Sequence, residues 1–131
     1  MRTVKYFTMA VLAMGLVAGL GLFQAADTDK PKYTIEEVME KAHKGGKKSL
    51  LGKVASGAAD DAQKKQLLEY YEEMAKNPAP KSDKGSAADW KKRAGALVAA
   101  TKGVIADKPG AGGGLNKAAN CKACHSIYKT D

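Results

Sequence analysis

The spacing of apolar side chains after residue 26 predicts helices and shows no strand pattern. In four stretches the apolar residues recur three and four positions apart, which places them along one face of a helix. The stretches run from Thr34 to Ser56–Gly57, from about Asp60 to Lys76, from Ser86 to Asp107 and from Leu115 to about Lys129. Four amphipathic helices joined by short or moderate loops predict an all-α fold, an antiparallel four-helix bundle.

Capping and breaking residues mark the ends of these predicted helices. Thr34 is a predicted N-cap, and Glu37 three residues later completes a capping box. Ser86 and Asp89 make a similar start for the third helix. Glycine and proline interrupt the pattern between helices. Gly45–Gly46 weakens the first helix, the stretch 77–85 is expected to be a loop, and the glycine-rich stretch 109–114 is expected to be a flexible connector.

The N-terminal 26 residues have the pattern of a secretory signal peptide. Arg2 and Lys5 precede an uncharged, mostly apolar run from Phe7 to Phe23, and the small residues Ala25–Ala26 follow. The mature domain is then expected to span 27–131. An uncleaved membrane anchor is the alternative, because the apolar run is at the short limit for crossing a bilayer.

The residues with the clearest chemistry stand close to the other end, as Cys121-Lys122-Ala123-Cys124-His125. Cys-x-x-Cys-His is the attachment signature of a c-type haem. Each sulfur would form a thioether to the porphyrin, and His125 would coordinate the iron from the proximal side. On a helix, positions three and four apart share a face, so both sulfurs and the imidazole converge on one side. We therefore expect one covalent haem c.

Other functions of a paired cysteine motif fit the chain less well. A thioredoxin-like redox pair sits at a strand-to-helix turn, and no strand pattern is present. A structural zinc site needs four protein ligands, whereas the chain has two cysteines and two histidines. A disulfide across two intervening residues is strained and uncommon.

The charge of the chain is strongly basic, with 22 Lys and Arg against 14 Asp and Glu and a formal net charge of +8. The ordinary interpretation is solvated helix faces. The functional interpretation is electrostatic steering towards acidic redox partners or anionic lipid. We expect no nucleic acid partner, because the chain has no recognisable nucleic-acid-binding motif.

Together these features resemble class II c-type cytochromes, which comprise cytochrome c′ and low-spin relatives of the cytochrome c556 type. The resemblance covers roughly Tyr33 to Lys129 and is most specific in 121–129, Cys-Lys-Ala-Cys-His-Ser-Ile-Tyr-Lys. Tyr128 and Lys129 stand where the family has an aromatic and then a basic residue. Class I cytochromes have the haem motif near the mature N-terminus, whereas only six residues follow His125 here.

Two residues of the first predicted helix are candidates for the sixth iron ligand. His43 is the only histidine besides His125. Met39 lies centrally on the apolar stripe of that helix, and the resemblance places it where low-spin relatives have a methionine ligand. His43 follows one turn later, at the edge of the same stripe. The sequence leaves three alternatives open: Met39, His43, or no protein ligand.

The resemblance implies an electron carrier and not an enzyme. Such a protein is exported to the periplasm and passes single electrons between soluble or membrane-bound redox partner proteins. An open iron position implies a different function, the binding of nitric oxide or carbon monoxide, as in cytochrome c′. A homodimer through the first two helices is implied by analogy alone.

Overall fold

The computed structural model describes residues 30–128. The predicted signal peptide (1–26) and Lys129 lie outside this range. Residues 30–128 are all-helical, with no β-strand, and are compatible with a helical bundle. Within them no helix is both long enough and apolar enough to span a membrane.

The first predicted helix is present as four short helical elements. Helix α1 (Ile35–Val38) begins at the predicted capping box, in which Thr34 Oγ1 accepts from the N–H of Glu37 and Glu37 Oε2 accepts from the N–H of Thr34. The chain continues as a π-helical turn, Met39–His43, whose wider hydrogen bonding is closed by the Lys44 N–H on the Met39 carbonyl. The break falls at the predicted double glycine, because Gly45 adopts a φ of 109°.

After the break, Gly46–Lys48 forms a 3₁₀ turn, and Ser49 caps helix α2 (Leu50–Ser56). Two long helices follow, as predicted to within two residues at each end. Asp60 caps α3 (Asp61–Lys76) through a capping box with Gln63, and Ser86 caps α4 (Ala87–Ile105).

The expectation of a flexible connector at 109–114 is wrong from Ala111 onward. Helix α5 (Ala111–Ala118) begins there and includes three consecutive glycines. A side chain at Gly112 would collide with the backbone carbonyl of Ala55 in α2. Glycine is therefore required here for close packing of two helices, and it is that packing which makes a poor helix-forming sequence helical.

The fourth predicted helix is two helices. Helix α5 ends at Ala118, and α6 (Cys121–Tyr128) starts after a break at Ala119–Asn120. The physical reason is Asn120, whose Oδ1 accepts a hydrogen bond from the Ala123 N–H at 3.0 Å. A side chain in this role starts a new helix and ends the continuity of the old one.

The core lies between α3 and α4, with α2 and α5 packed against them. Among its largest fully buried side chains, three lie on α3 and one each on α5, α1 and α2: Tyr71, Leu67, Met74, Leu115, Val38 and Val54. Helix α6 covers one end of this core with Tyr128, Cys124 and Ile127. Its motif residues therefore lie where several helices meet.

Candidate functional site

All five sequence-predicted site residues line one cleft. It is formed by the π-helical turn, α3, α4 and the α5–α6 break, and it encloses about 410 Å³ of empty space that is partly open to solvent. The lining is Met39, His43, Met74, Trp90, Ala94, Leu97, Ala118, Ala119, Asn120, Cys121, Cys124 and His125.

Helix α6 provides the two cysteines and the histidine of the motif. Cys121 is exposed and Cys124 is half-buried, and both are free thiols. Burial raises the pKa of the Cys124 thiol. The Cys121 thiol makes a long contact of 3.4 Å to the Ala119 carbonyl. His125 is exposed on the same helix. One helix therefore presents two thiols and an imidazole to the cleft, as the spacing predicts.

The π-helical turn provides the two candidate distal groups. Met39 and His43 stand at the first and last positions of this turn, and both are half-buried. The turn brings both side chains to the cleft, so the structure does not separate them by position. The choice between them depends on what else each side chain contacts.

His43 is held by a tyrosine behind the cleft. Its Nε2 lies 2.8 Å from the hydroxyl of Tyr71 in α3, and the two rings meet edge to face with centroids 5.7 Å apart. Burial lowers the pKa of His43, with a smaller contribution from His125. Burial also raises the pKa of Tyr71, with a smaller contribution from Cys121. At neutral pH both groups are therefore uncharged.

The remaining lining is apolar and comes from the two long helices. Met74 is buried on α3, and Trp90, Ala94 and Leu97 are buried on α4. The indole N–H of Trp90 donates to the Asn77 carbonyl at 3.1 Å, so the only polar atom of this side chain is satisfied. An apolar lining of this kind makes the interior of the cleft unfavourable for water.

The far end of α6 is fastened to the start of α4. The Tyr128 hydroxyl lies 2.8 Å from the Ser86 carbonyl and 2.9 Å from Asp89 Oδ2, and Asp89 pairs with Arg93 at 2.7 Å. The Tyr128 ring contacts Trp90 edge to face at 5.4 Å. Ser82 donates to the Ile127 carbonyl. These contacts fix one end of the helix whose other end borders the cleft.

The donor set fits a haem. Two thiols and one imidazole come from a single helix, a thioether and a second imidazole come from another element, and the other lining side chains are mostly apolar. Haem proteins use such thioether, imidazole and apolar groups. Cys121, Cys124 and His125 are the residues that would hold the group, and Met39 or His43 is available for the other side of the iron.

Sequence reasoning did not assign two residues that shape this site. Met74 belongs to the lining and is a second thioether there, although its place in the apolar repeat of α3 marks it only as core. Tyr71 contacts His43 across 28 residues of sequence. No local pattern signals such a pair, because it depends on how two helices pack.

Comparisons of the chain with protein-family models, with curated proteins and with solved structures gave no match. The side chains of the cleft and the Cys121–His125 motif therefore carry the evidence on function.

Proposed function

We propose that the chain is an exported monohaem cytochrome c that transfers single electrons. The observation that supports this most is the gathering of Cys121, Cys124 and His125 in one apolar cleft with Met39. Cys121 and Cys124 would form the thioethers, and His125 would be the proximal ligand. When bound, the haem supplies an iron that alternates between the ferric and ferrous states.

The residues around the cleft have separate tasks in this function. Met39 supplies a thioether for the sixth position, which favours ferrous iron and a higher potential than a second imidazole would. Trp90 and Leu97 keep water out of the interior. Tyr128 and Asp89 hold α6, and with it His125, against α4.

The wider architecture and cellular setting belong to the same proposal. The helices form an antiparallel four-helix bundle of the class II cytochrome type, with the haem on the last helical segment. Residues 1–26 act as the export signal or as an uncleaved anchor, and the mature protein works in the periplasm, free or as a homodimer. Lysine-rich faces steer it towards acidic redox partners.

A second candidate function is the binding of nitric oxide or carbon monoxide at an open iron position. The hydrogen bond between His43 and Tyr71 favours it, because it occupies one of the two candidate distal donors. If the Met39 thioether does not coordinate either, a small molecule has access to the iron.

Expression in a host competent for cytochrome c maturation tests both candidates. The expected product is coloured and heavier than the polypeptide by one haem, and Cys121→Ser with Cys124→Ser abolishes the gain. Ferric and ferrous spectra are then recorded with and without carbon monoxide. Low-spin bands that the gas leaves unchanged support electron transfer, and high-spin bands that it shifts support gas binding.

Two conservative substitutions identify the methionine involved. Met39→Leu is expected to convert a low-spin spectrum to high spin, while the matched Met74→Leu leaves it low spin. A colourless product with the mass of the polypeptide alone refutes both functions.

A further inference from the structure

We propose that Tyr71 is a positioning residue that holds His43 in a state unable to bind iron, so that the imidazole does not compete for the sixth position. The proposal rests on the haem function above. It concerns the hydrogen bond of 2.8 Å between Tyr71 Oη and His43 Nε2. Tyr71 is not part of the cleft lining, so it acts through His43.

The burial of Tyr71 decides which group donates in this hydrogen bond. The side chain is 0 % exposed, and within residues 30–128 its hydroxyl has His43 as its one hydrogen-bond partner. If the Nε2–H of His43 donated, the phenolic proton would be buried without an acceptor, which is costly. If the phenol donates to the Nε2 lone pair, the buried phenolic proton has an acceptor, and no buried side-chain nitrogen or oxygen of residues 30–128 is left without a partner. The second arrangement is therefore favoured.

This donor assignment fixes the state of the imidazole. A neutral imidazole has one N–H and one lone pair. With the Nε2 lone pair occupied by the Tyr71 hydroxyl, the proton resides on Nδ1. Neither nitrogen of His43 then has a free electron pair for a metal. His43 therefore lines the cleft without offering a lone pair to a metal. In the part of the chain that the structure describes, the Met39 sulfur has no such hydrogen bond and remains available as a ligand.

The hydrogen bond is held in place from both sides. Tyr71 is fixed on α3 between the fully buried Leu67 and the nearly fully buried Met74, one turn away in each direction. His43 ends the π-helical turn, and the ring planes meet at 74°. To coordinate through Nε2, the imidazole would have to leave Tyr71, and the buried hydroxyl would then lose its partner. That loss opposes ligation by His43.

The opposite role for Tyr71 is chemically reasonable and is the alternative outcome of the test. Histidine ligands of metals commonly donate their second N–H to a neighbouring acceptor, which orients the ring. In that case Nε2–H donates to the tyrosine oxygen and Nδ1 faces the iron. The two roles predict opposite effects of removing the Tyr71 hydroxyl.

The experiment compares Tyr71→Phe with Tyr70→Phe in the haem-loaded full chain. Tyr70 is a suitable control because it is 7 % exposed on the same helix, bonds through its hydroxyl to Gln66 at 3.2 Å, and does not line the cleft. Ferric electron paramagnetic resonance and visible spectra report the axial ligands. We expect Tyr71→Phe to convert a major fraction of the iron to a bis-imidazole species that disappears in the Tyr71→Phe/His43→Gln double variant. Tyr70→Phe is expected to match the wild type.

Two measurements on chains with an intact Tyr71 keep the proposal testable if Tyr71→Phe does not fold. His43→Gln alone is expected to leave the ligand spectrum unchanged. Long-range ¹⁵N–¹H correlation spectra of the full chain are expected to show His43 with its proton on Nδ1. Any of three results would overturn the proposal. They are the loss of a low-spin spectrum in His43→Gln, a His43 that carries its proton on Nε2, and a Tyr71→Phe spectrum identical to that of the wild type. A chain without haem refutes the proposed function instead, and the tautomer measurement then reports only which group donates in the hydrogen bond between His43 and Tyr71.

Discussion

Alanine at Gly112 is expected to destabilise the protein, whereas alanine at the next position, Gly113, is expected to stabilise it. Both glycines lie in the first turn of α5. A Cβ at Gly112 collides with the Ala55 carbonyl of α2, and a Cβ at Gly113 has no atom within 4 Å. The two substitutions are chemically identical, so only the surroundings of the added methyl group differ.

The size of the effect follows from two opposing contributions. Replacing glycine by alanine inside a helix gains at most about 1 kcal/mol in helix propensity, and this applies to both positions. Overpacking against a rigid backbone atom costs roughly 1–3 kcal/mol, and this applies to Gly112 only. Because the propensity gain cancels in the comparison, the free energies of unfolding of the two variants should differ by roughly 1–3 kcal/mol.

Urea unfolding measures this difference when all proteins are prepared in the same cofactor state. Fluorescence of Trp90 and far-ultraviolet circular dichroism are followed together, and equal slopes show that the unfolded reference is unchanged. Gly114→Ala is a second control, since its added Cβ also meets nothing within 4 Å. If Gly112→Ala were as stable as Gly113→Ala, the close packing of α5 on α2 would be refuted. If all three variants were less stable than the wild type, the helical assignment of this stretch would fail.

Two further predictions concern the cap of α6 and the acid stability of the fold. Asn120→Ala removes the hydrogen bond to the Ala123 N–H and should cost ~1 kcal/mol. Hydrogen exchange in the first turn of α6 should then be faster than in wild type and in the capping-competent Asn120→Asp control, and equal rates in all three proteins would contradict the cap. Hydrogen bonds from the Lys32 N–H and from Lys76 hold the pKa of Glu73 in the folded protein below its ordinary value of 4.5. The ionised Glu73 carboxylate therefore stabilises the fold fully above pH 4.5, and this stabilisation is lost as the pH falls through the lowered pKa of the folded state. The stability difference between wild type and Glu73→Gln in urea unfolding at several pH values should therefore shrink below pH 4.5, and a pH-independent difference would refute the assignment.

The helix ends that the sequence predicted correctly are those whose signal is local. Thr34, Asp60 and Ser86 each accept a hydrogen bond from the backbone three residues later, and this chemistry is visible in the sequence itself. The break at Gly45 is of the same kind, because a positive φ favours glycine.

The parts that the sequence did not predict depend on contacts between distant segments. Helix α5 is glycine-rich, and its helical state follows from packing on Ala55, which no spacing rule contains. Asn120 did offer a local signal, since asparagine is a strong N-cap residue, but the apolar repeat running from Leu115 through Cys121 obscured it.

In the candidate site, too, some residues were predicted from local sequence signals, whereas one contact depends on the packing of distant segments. The spacing of Cys121, Cys124 and His125 was enough to place them on one helix face, and the apolar stripe was enough to bring Met39 and His43 to the same interior. The contact between His43 and Tyr71 required the packing of the π-helical turn on α3. The proposed role of His43 rests on that contact, which the sequence alone does not show.

Helix α6 begins with its own cap at Asn120 and ends with its own anchor at Tyr128, and it spans only eight residues. Protein engineers could therefore graft it only onto a helical scaffold that supplies the partners of this anchor. The recipient needs a shallow seat beside a helix start, with a glycine such as Gly85 that leaves room for the tyrosine ring and a carbonyl such as that of Ser86 to accept from its hydroxyl.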